Sequence, residues 1–236
     1  MHQRADVSGL RVAAPRPTET EGRWRLLGPS SSRTQSETLV RWSVNLVGAV
    51  GAAYFAAITL QGYVENHRPL GVGLFVEQLV VVGAYLIRRP ARVVTRRAGD
   101  WILAAGGTFT PVLLRPNGAH PPWGVGAGMA LQIVGLAVAV SSLIVLGRSF
   151  GFAAADRGLV RSGPYAVVRH PIYGSYLLLQ GGYVLQSISL SNILVFVVAT
   201  AFSVGRAVVE EDLLAENPDY GAYRAKVRWR LVPRVW

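Results

Sequence analysis

The chain has 236 residues, 51% hydrophobic and 16% charged, with a formal net charge of +11. A soluble domain carries about 25% charged residues, so this composition argues against an ordinary soluble globule and for a multi-span membrane protein. The absence of Cys excludes disulfides, thiolate nucleophiles and Cys-bound zinc. The basic residues, of which Lys226 is the only lysine, sit between apolar runs as the positive-inside rule requires, so no nucleic-acid partner is expected.

Residues 1–38 are rich in Ser, Pro, Gly and Arg and contain no apolar core. They read as a disordered cytosolic arm rather than a secretory signal. Leu39 to Leu60 is long enough to span about 30 Å of hydrocarbon. Leu70 to Ile87 is the second run. It contains Glu77, which must face the interior or a partner, because a central carboxylate costs about 2.5–3.5 kcal/mol on insertion scales. "RRPARVVTRR", Arg88 to Arg97, holds five Arg and no acid and is expected on the cytosolic side. The third run, Asp100 to Leu114, is short and interrupted by Gly106, Gly107 and Pro111, which suits a tilted or broken span. The fourth covers Val125 to Gly147. Arg148 to His170 is polar and again Arg-rich. Ile172 to Leu190 and Asn192 to Val209 then follow with Ser191 between them, as a helical hairpin. The tail from Glu210 to Trp236 is polar. The expected fold is all-α: a polytopic integral membrane protein of about six transmembrane helices in the cell's inner or plasma membrane, ending in a helical hairpin, with both termini and both Arg-rich connectors in the cytosol.

Two polar clusters flank the hairpin. In the first, "DRGLVRSGPYAVVRHPIYGSY", Gly163-Pro164 enforces a turn and Pro171 starts a helix at a favoured position. His170 stands at the mouth of that helix, with Tyr173 three residues on and on the same side. Tyr, Arg and His are also ordinary residues where a helix leaves a membrane. In the second, "RAVVEEDLLAENPDYGAYRAKVRWRLVP", Arg206 and Glu210 are spaced to pair across one helical turn. Carboxylates at 210–212 would oppose a helix C-terminus unless the helix continues or a cation answers them. The hairpin returns the chain to its starting face, so the two clusters are expected to meet at the cytosolic boundary.

These pieces, "LVRSGPYAVVRHPIY", "RAVVEEDLL" and the aromatic-basic close before Pro233, resemble the isoprenylcysteine carboxyl methyltransferase family. Phospholipid N-methyltransferases share a looser version. The resemblance covers about Arg148 to Pro233 and implies that residues 148–236 form a methyltransferase core, preceded by variable transmembrane helices over 39–147. It implies S-adenosyl-L-methionine as cofactor in a cytosolic pocket, without the Gly-rich fingerprint of soluble nucleotide-binding folds. Carried over residue by residue, Arg157, Gly158, Leu159, Val160, Tyr165, Arg169, His170, Pro171, Ile172, Tyr173 and Glu210 would line the cofactor site, and Arg206 would bind substrate and act in catalysis. Arg157 departs from some relatives, which carry His at that position. No metal is implied.

Methyl transfer is an in-line displacement, so the protein mainly aligns reactants and orients charge. A carboxylate acceptor needs no base; a phenol or amine does, and Glu211 is the candidate. The acceptor would enter from the bilayer among membrane lipids: a prenylated thioether carboxylate, a terpenoid acid, a quinone-like phenol or a phospholipid amine. Two other readings compete. An NADPH-dependent sterol or enone reductase shares a His–Pro–x–Tyr element but not the doubled Glu after Arg206. A membrane scaffold or small transporter should show an internal repeat, and the sequence has none.

Overall fold

The computed structural model describes residues 35–66, 69–89, 93–95, 97–152 and 155–236. The expected disordered arm thus lies outside the described residues as far as position 34, as does part of the first Arg-rich connector. Residues Arg41–Trp236 form one compact unit. The helices are α1 (Gln35–Asn66), α2 (Pro69–Ile87), α3 (Ala98–Phe109), α4 (Pro122–Leu146), α5 (Pro171–Gln186), α6 (Leu190–Leu214) and α7 (Tyr220–Lys226). Among the described residues the one ladder is a pair of two-residue strands, β1 (Val93–Val94) and β2 (Ala155–Asp156). The fold is all-helical, as expected.

Two helical segments, Pro122–Ser149 and Leu190–Leu214, are long and apolar enough to cross a membrane. Their burial pattern is inverted relative to a soluble helix. On α4 the buried positions are Gly124, Gly128, Gln132, Gly135, Ala139, Ser142 and Leu143, while Ile133, Val134 and Ile144 point outward. On α6 the inside face is Asn192, Ala199, Ser203, Ala207 and Glu211, and Leu194, Val197 and Val198 are outside. Lipid is as apolar as Leu, so helices in a bilayer associate through small residues and polar bonds.

The most extensive helix contact joins α4 to α5, and it is built this way. A Cβ on Gly182 would lie 2.5 Å from the Gly128 carbonyl oxygen, so the backbones touch where only glycine fits. Beside that crossing the Gln186 amide donates to Gln132 Oε1 at 2.5 Å, and Gln132 donates to the Leu179 carbonyl at 3.3 Å.

The third apolar run is indeed broken. Helix α3 has 12 residues, a rise of about 18 Å against some 30 Å of hydrocarbon, and it gives way at Pro111 to a 3-10 turn over Thr110–Leu113. The hairpin turn lies earlier than expected, at Ser187–Ser189 rather than at Ser191. Ser189 caps α6 by accepting from the Asn192 amide. The fully buried Asn192 side chain donates to Arg115 O and Ser187 O and accepts from the Arg115 amide. These polar bonds, not hydropathy, set the boundary.

The chain ends alternate as a helical bundle requires. Ala119 pairs with Ile188 at one end, joining the α3–α4 loop to the hairpin turn. At the other end the two Arg-rich connectors meet. The Arg89 amide donates to Arg148 O at 2.7 Å, the Arg148 side chain donates to Ile87 O, and β1 pairs antiparallel with β2.

Candidate active site

The polar turn and the end of α6 come together at this second end. Tyr165 lies in a 3-10 turn over Gly163–Ala166, entered through Pro164, and its carbonyl accepts from the Tyr223 hydroxyl at 2.7 Å. Arg169 and His170 follow, and Pro171 opens α5 with His170 as its N-cap residue. The imidazole does not cap the helix; it turns toward α6.

Helix α6 runs on to Leu214, so Glu210 and Glu211 lie within it rather than beyond its end. The cations that answer them come from outside the helix. Glu211 is buried and engaged on both oxygens. Arg169 Nε donates to Oε1 at 2.7 Å, His170 Nε2 lies 3.3 Å from the same oxygen, and Arg230 Nε donates to Oε2 at 3.1 Å. Three of the roughly four acceptor sites of the carboxylate are thus engaged, an arrangement suited to positioning the turn. Glu210 takes the Tyr173 hydroxyl as a donor, and His170 Nδ1 lies 3.5 Å from its Oε2. The imidazole thus bridges the two acids and stacks on Tyr173, with centroids 5.7 Å apart. Burial pulls the His170 pKa down, but hydrogen bonds to Glu210 and Glu211 and their charges more than offset it, leaving it above the usual value of 6.5.

Arg206 departs from the expected pairing. No ion pair joins it to Glu210 among the described residues. Its Nη2 donates to the Phe152 carbonyl at 2.8 Å and its Nη1 reaches Thr108 Oγ1 at 3.5 Å, while the guanidinium lies over the Tyr173 ring, 4.9 Å from the centroid. Glu210 is already occupied by Tyr173 and His170, and the Phe152 carbonyl holds Arg206 over the Tyr173 ring. A small cleft opens beside them, lined by Asp100, Leu103 and Ala104 of α3 and Arg206, Val209 and Glu210 of α6.

The remaining candidates divide. Arg157 Nε is buried with no hydrogen-bond partner. Burial, and next the charge of Arg88, lower the Arg157 pKa to about 10, against the opposing pull of Glu210; it stays a cation near the Glu210 carboxylate. Tyr165 is also within reach of that charge: burial first, and then Glu210, push its phenol well above the usual range. Leu159 instead packs on the apolar cluster of Tyr220, Tyr223 and Val227, and Ile172 on that of Tyr173, Ala207 and Leu231. Gly158 and Val160 continue the segment from Arg157.

Sequence reasoning missed the strap that holds the turn. The Arg169 and His170 amides donate to Trp229 O and Arg230 O at 2.9 and 2.8 Å, and Arg169 Nη1 donates to Val227 O and Arg228 O. Gly174 lies so close to Leu231 that a Cβ would sit 2.6 Å from its carbonyl oxygen. The alternation in "RWRLV" was the signal for an extended segment. Asp100 and Thr108 had no comparable signature, because α3 reads as an apolar run.

The sequence model of the phospholipid methyltransferase family matches residues 123–221. That stretch spans α4, the polar turn, the hairpin and the first residues of α7. No curated protein matches the chain. Among solved structures, a eukaryotic intramembrane Ras methyltransferase, isoprenylcysteine carboxyl methyltransferase, is 18% identical, with 92% of this chain and 90% of that chain covered at a TM-score of 0.46. The resemblance to membrane methyltransferases found in the motifs is therefore met by a family match over the residues that bring His170, Tyr173, Arg206, Glu210 and Glu211 together.

Proposed function

We propose that this chain is an integral membrane S-adenosylmethionine-dependent methyltransferase acting on a lipophilic acceptor. The observation that carries the reading is the joining of His170 and Tyr173 to Glu210 inside the stretch that matches the methyltransferase family. The doubled Glu that distinguished this reading from a reductase is what anchors the turn, through Glu211.

The residues suit the cofactor chemically. It carries cationic, anionic and hydroxyl groups; the site offers the Glu210 carboxylate and the Arg157 cation, whose buried Nε lacks a partner. In this reading Glu210 meets a hydroxyl or ammonium and Arg157 an anionic group, with Tyr165 and His170–Tyr173 forming the wall. The bound cofactor supplies an electrophilic methyl group. His170 lies between the two acids and fixes the Glu210 carboxylate. Arg206, over the Tyr173 ring, orients the acceptor's head group, a carboxylate being the simplest partner for a guanidinium. Glu211 positions Arg169 and His170 and takes no proton. Residues 148–236 form the catalytic core, and the helices of 39–147 wall the acceptor's path from the bilayer.

His170→Ala and Glu210→Gln are each expected to weaken S-adenosylmethionine binding about tenfold or more, the loss of one charge-assisted hydrogen bond. Calorimetry in detergent checks this, and unchanged affinity in both variants rejects the pocket. We further propose six spans with the site in the cytosol, from the Arg asymmetry. In a chain without native Cys, Asn117→Cys should react with an impermeant thiol reagent from outside intact cells and Thr95→Cys should not; the reverse result overturns the orientation.

A further inference from the structure

The connector that leaves α4, residues 149–152, touches Arg157 and Arg206 alike. The Ser149 hydroxyl donates to Arg157 O at 3.3 Å, and Phe152 O accepts from Arg206 Nη2 at 2.8 Å. Between these two anchors Gly151 lies against the Arg157 guanidinium. A Cβ at Gly151 would sit 2.2 Å from Arg157 Nη1 and 2.7 Å from its Cζ, closer than any side chain allows. The backbone of Gly151 does not call for glycine, because its φ is not in the left-handed region. What excludes a larger residue there is the guanidinium. Aromatic contacts fix the segment from outside: Phe150 stands edge-on to Tyr85 of α2 with centroids 5.1 Å apart, and Phe152 lies against Trp101 of α3 at 6.4 Å. The seat is therefore built from both sides. Within it Arg157 Nε is buried and has no hydrogen-bond partner. A buried donor of this kind is normally satisfied, so the seat holds a cation with a donor left for a group that the chain itself does not supply.

We propose that Gly151 is a positioning residue of the donor site: it leaves the space in which the Arg157 guanidinium is set to take the carboxylate of the methyl donor. S-adenosylmethionine carries one anionic group, the carboxylate of its amino-acid part, and a planar guanidinium matches that group. Gly151 itself touches no ligand and acts through Arg157. The inference rests on the methyltransferase reading and deepens it by naming the part of the donor that Arg157 meets and the residue that sets it there.

Affinity is measured by calorimetry in detergent for S-adenosylmethionine and for its decarboxylated analogue, beside melting temperature. Gly151→Ala pushes the guanidinium aside, so S-adenosylmethionine should bind about tenfold more weakly, as it should to Arg157→Ala, the loss of one charge-assisted hydrogen bond. The decarboxylated analogue has no group for Arg157 and should bind both variants within about twofold of the unsubstituted protein. Gly151→Ala should lower the melting temperature by about 2–4 °C through overpacking. Added to Arg157→Ala it should cost neither affinity nor melting temperature, since the space is then free and the backbone accepts alanine. Unchanged S-adenosylmethionine affinity in Gly151→Ala overturns the seat, as does a further loss of about threefold or more when it is added to Arg157→Ala. Equal weakening of both ligands in Gly151→Ala overturns the carboxylate as the partner. Failure of the unsubstituted protein to bind either ligand rejects the methyltransferase reading, and with it the donor carboxylate. The melting temperatures then still decide the seat, which falls if Gly151→Ala costs as much without the Arg157 side chain as with it.

Discussion

Glu211→Gln is expected to destabilise the protein by about 3–5 kcal/mol, because it strips the counter-charge from buried cations. Three groups converge on this one carboxylate: Arg169 and His170, both 6% exposed in their side chains, and Arg230 at the rim. Glutamine keeps the shape and an acceptor oxygen but leaves Arg169 buried without its anion. For a chain of this length the loss corresponds to a fall of about 6–20 °C in melting temperature. Thermal unfolding in detergent measures it, and a shift under about 2 °C would show that the cluster does not hold the turn. The same cluster carries a pH signature. The folded pKa of His170 is raised, so its contribution is complete below the unfolded value of about 6.5 and is lost as pH rises through the folded value. Melting temperature should therefore decline on the alkaline side, and His170→Gln should flatten that decline.

Arg206→Ala is expected to lower turnover about 100-fold or more, the scale seen when a preorganised charge at a reacting centre is removed. Donor affinity should change by less than threefold, a difference under about 0.7 kcal/mol. The geometry separates the two roles: Glu210 is held by His170 and Tyr173, and Arg206 by the Phe152 carbonyl and a stacking contact on the Tyr173 ring. A purely structural Arg206 would instead lose turnover, donor affinity and melting temperature together. Arg206→Lys sharpens the comparison, since it keeps the charge but not the planar stacking on Tyr173 or the fork of donors. Intermediate turnover with donor binding intact is the expected result.

Much of this site was legible before any fold was known, for local reasons. Gly163-Pro164 and His170-Pro171 dictate a turn and a helix start through backbone restriction alone, and both form. The hairpin follows from two apolar runs too close for any other connection, and it carries the 161–173 cluster back to the 206–211 cluster. What sequence spacing misjudged was partner choice. Arg206 and Glu210 stand one turn apart on a helix, yet neither takes the other, because His170 and Tyr173 arrive from α5 and Phe152 from the connector. Contacts of that kind depend on which residues distant in sequence occupy the space first.

The sequence alone determined the helical class, the Arg-rich connectors and the turn that holds the candidate site, because proline restriction, hydropathy and charge asymmetry act within a few residues. Only the tertiary structure decided that the small-residue stripe of α4 meets α5 at Gly128 and Gly182, that Glu211 is held by Arg169, His170 and Arg230, and that residues 227–231 strap the turn. In an apolar chain nearly every residue is compatible with a helix in lipid, so hydropathy cannot rank one face above another. Close backbone approach and the satisfaction of buried polar groups do, and both exist only once the helices are side by side.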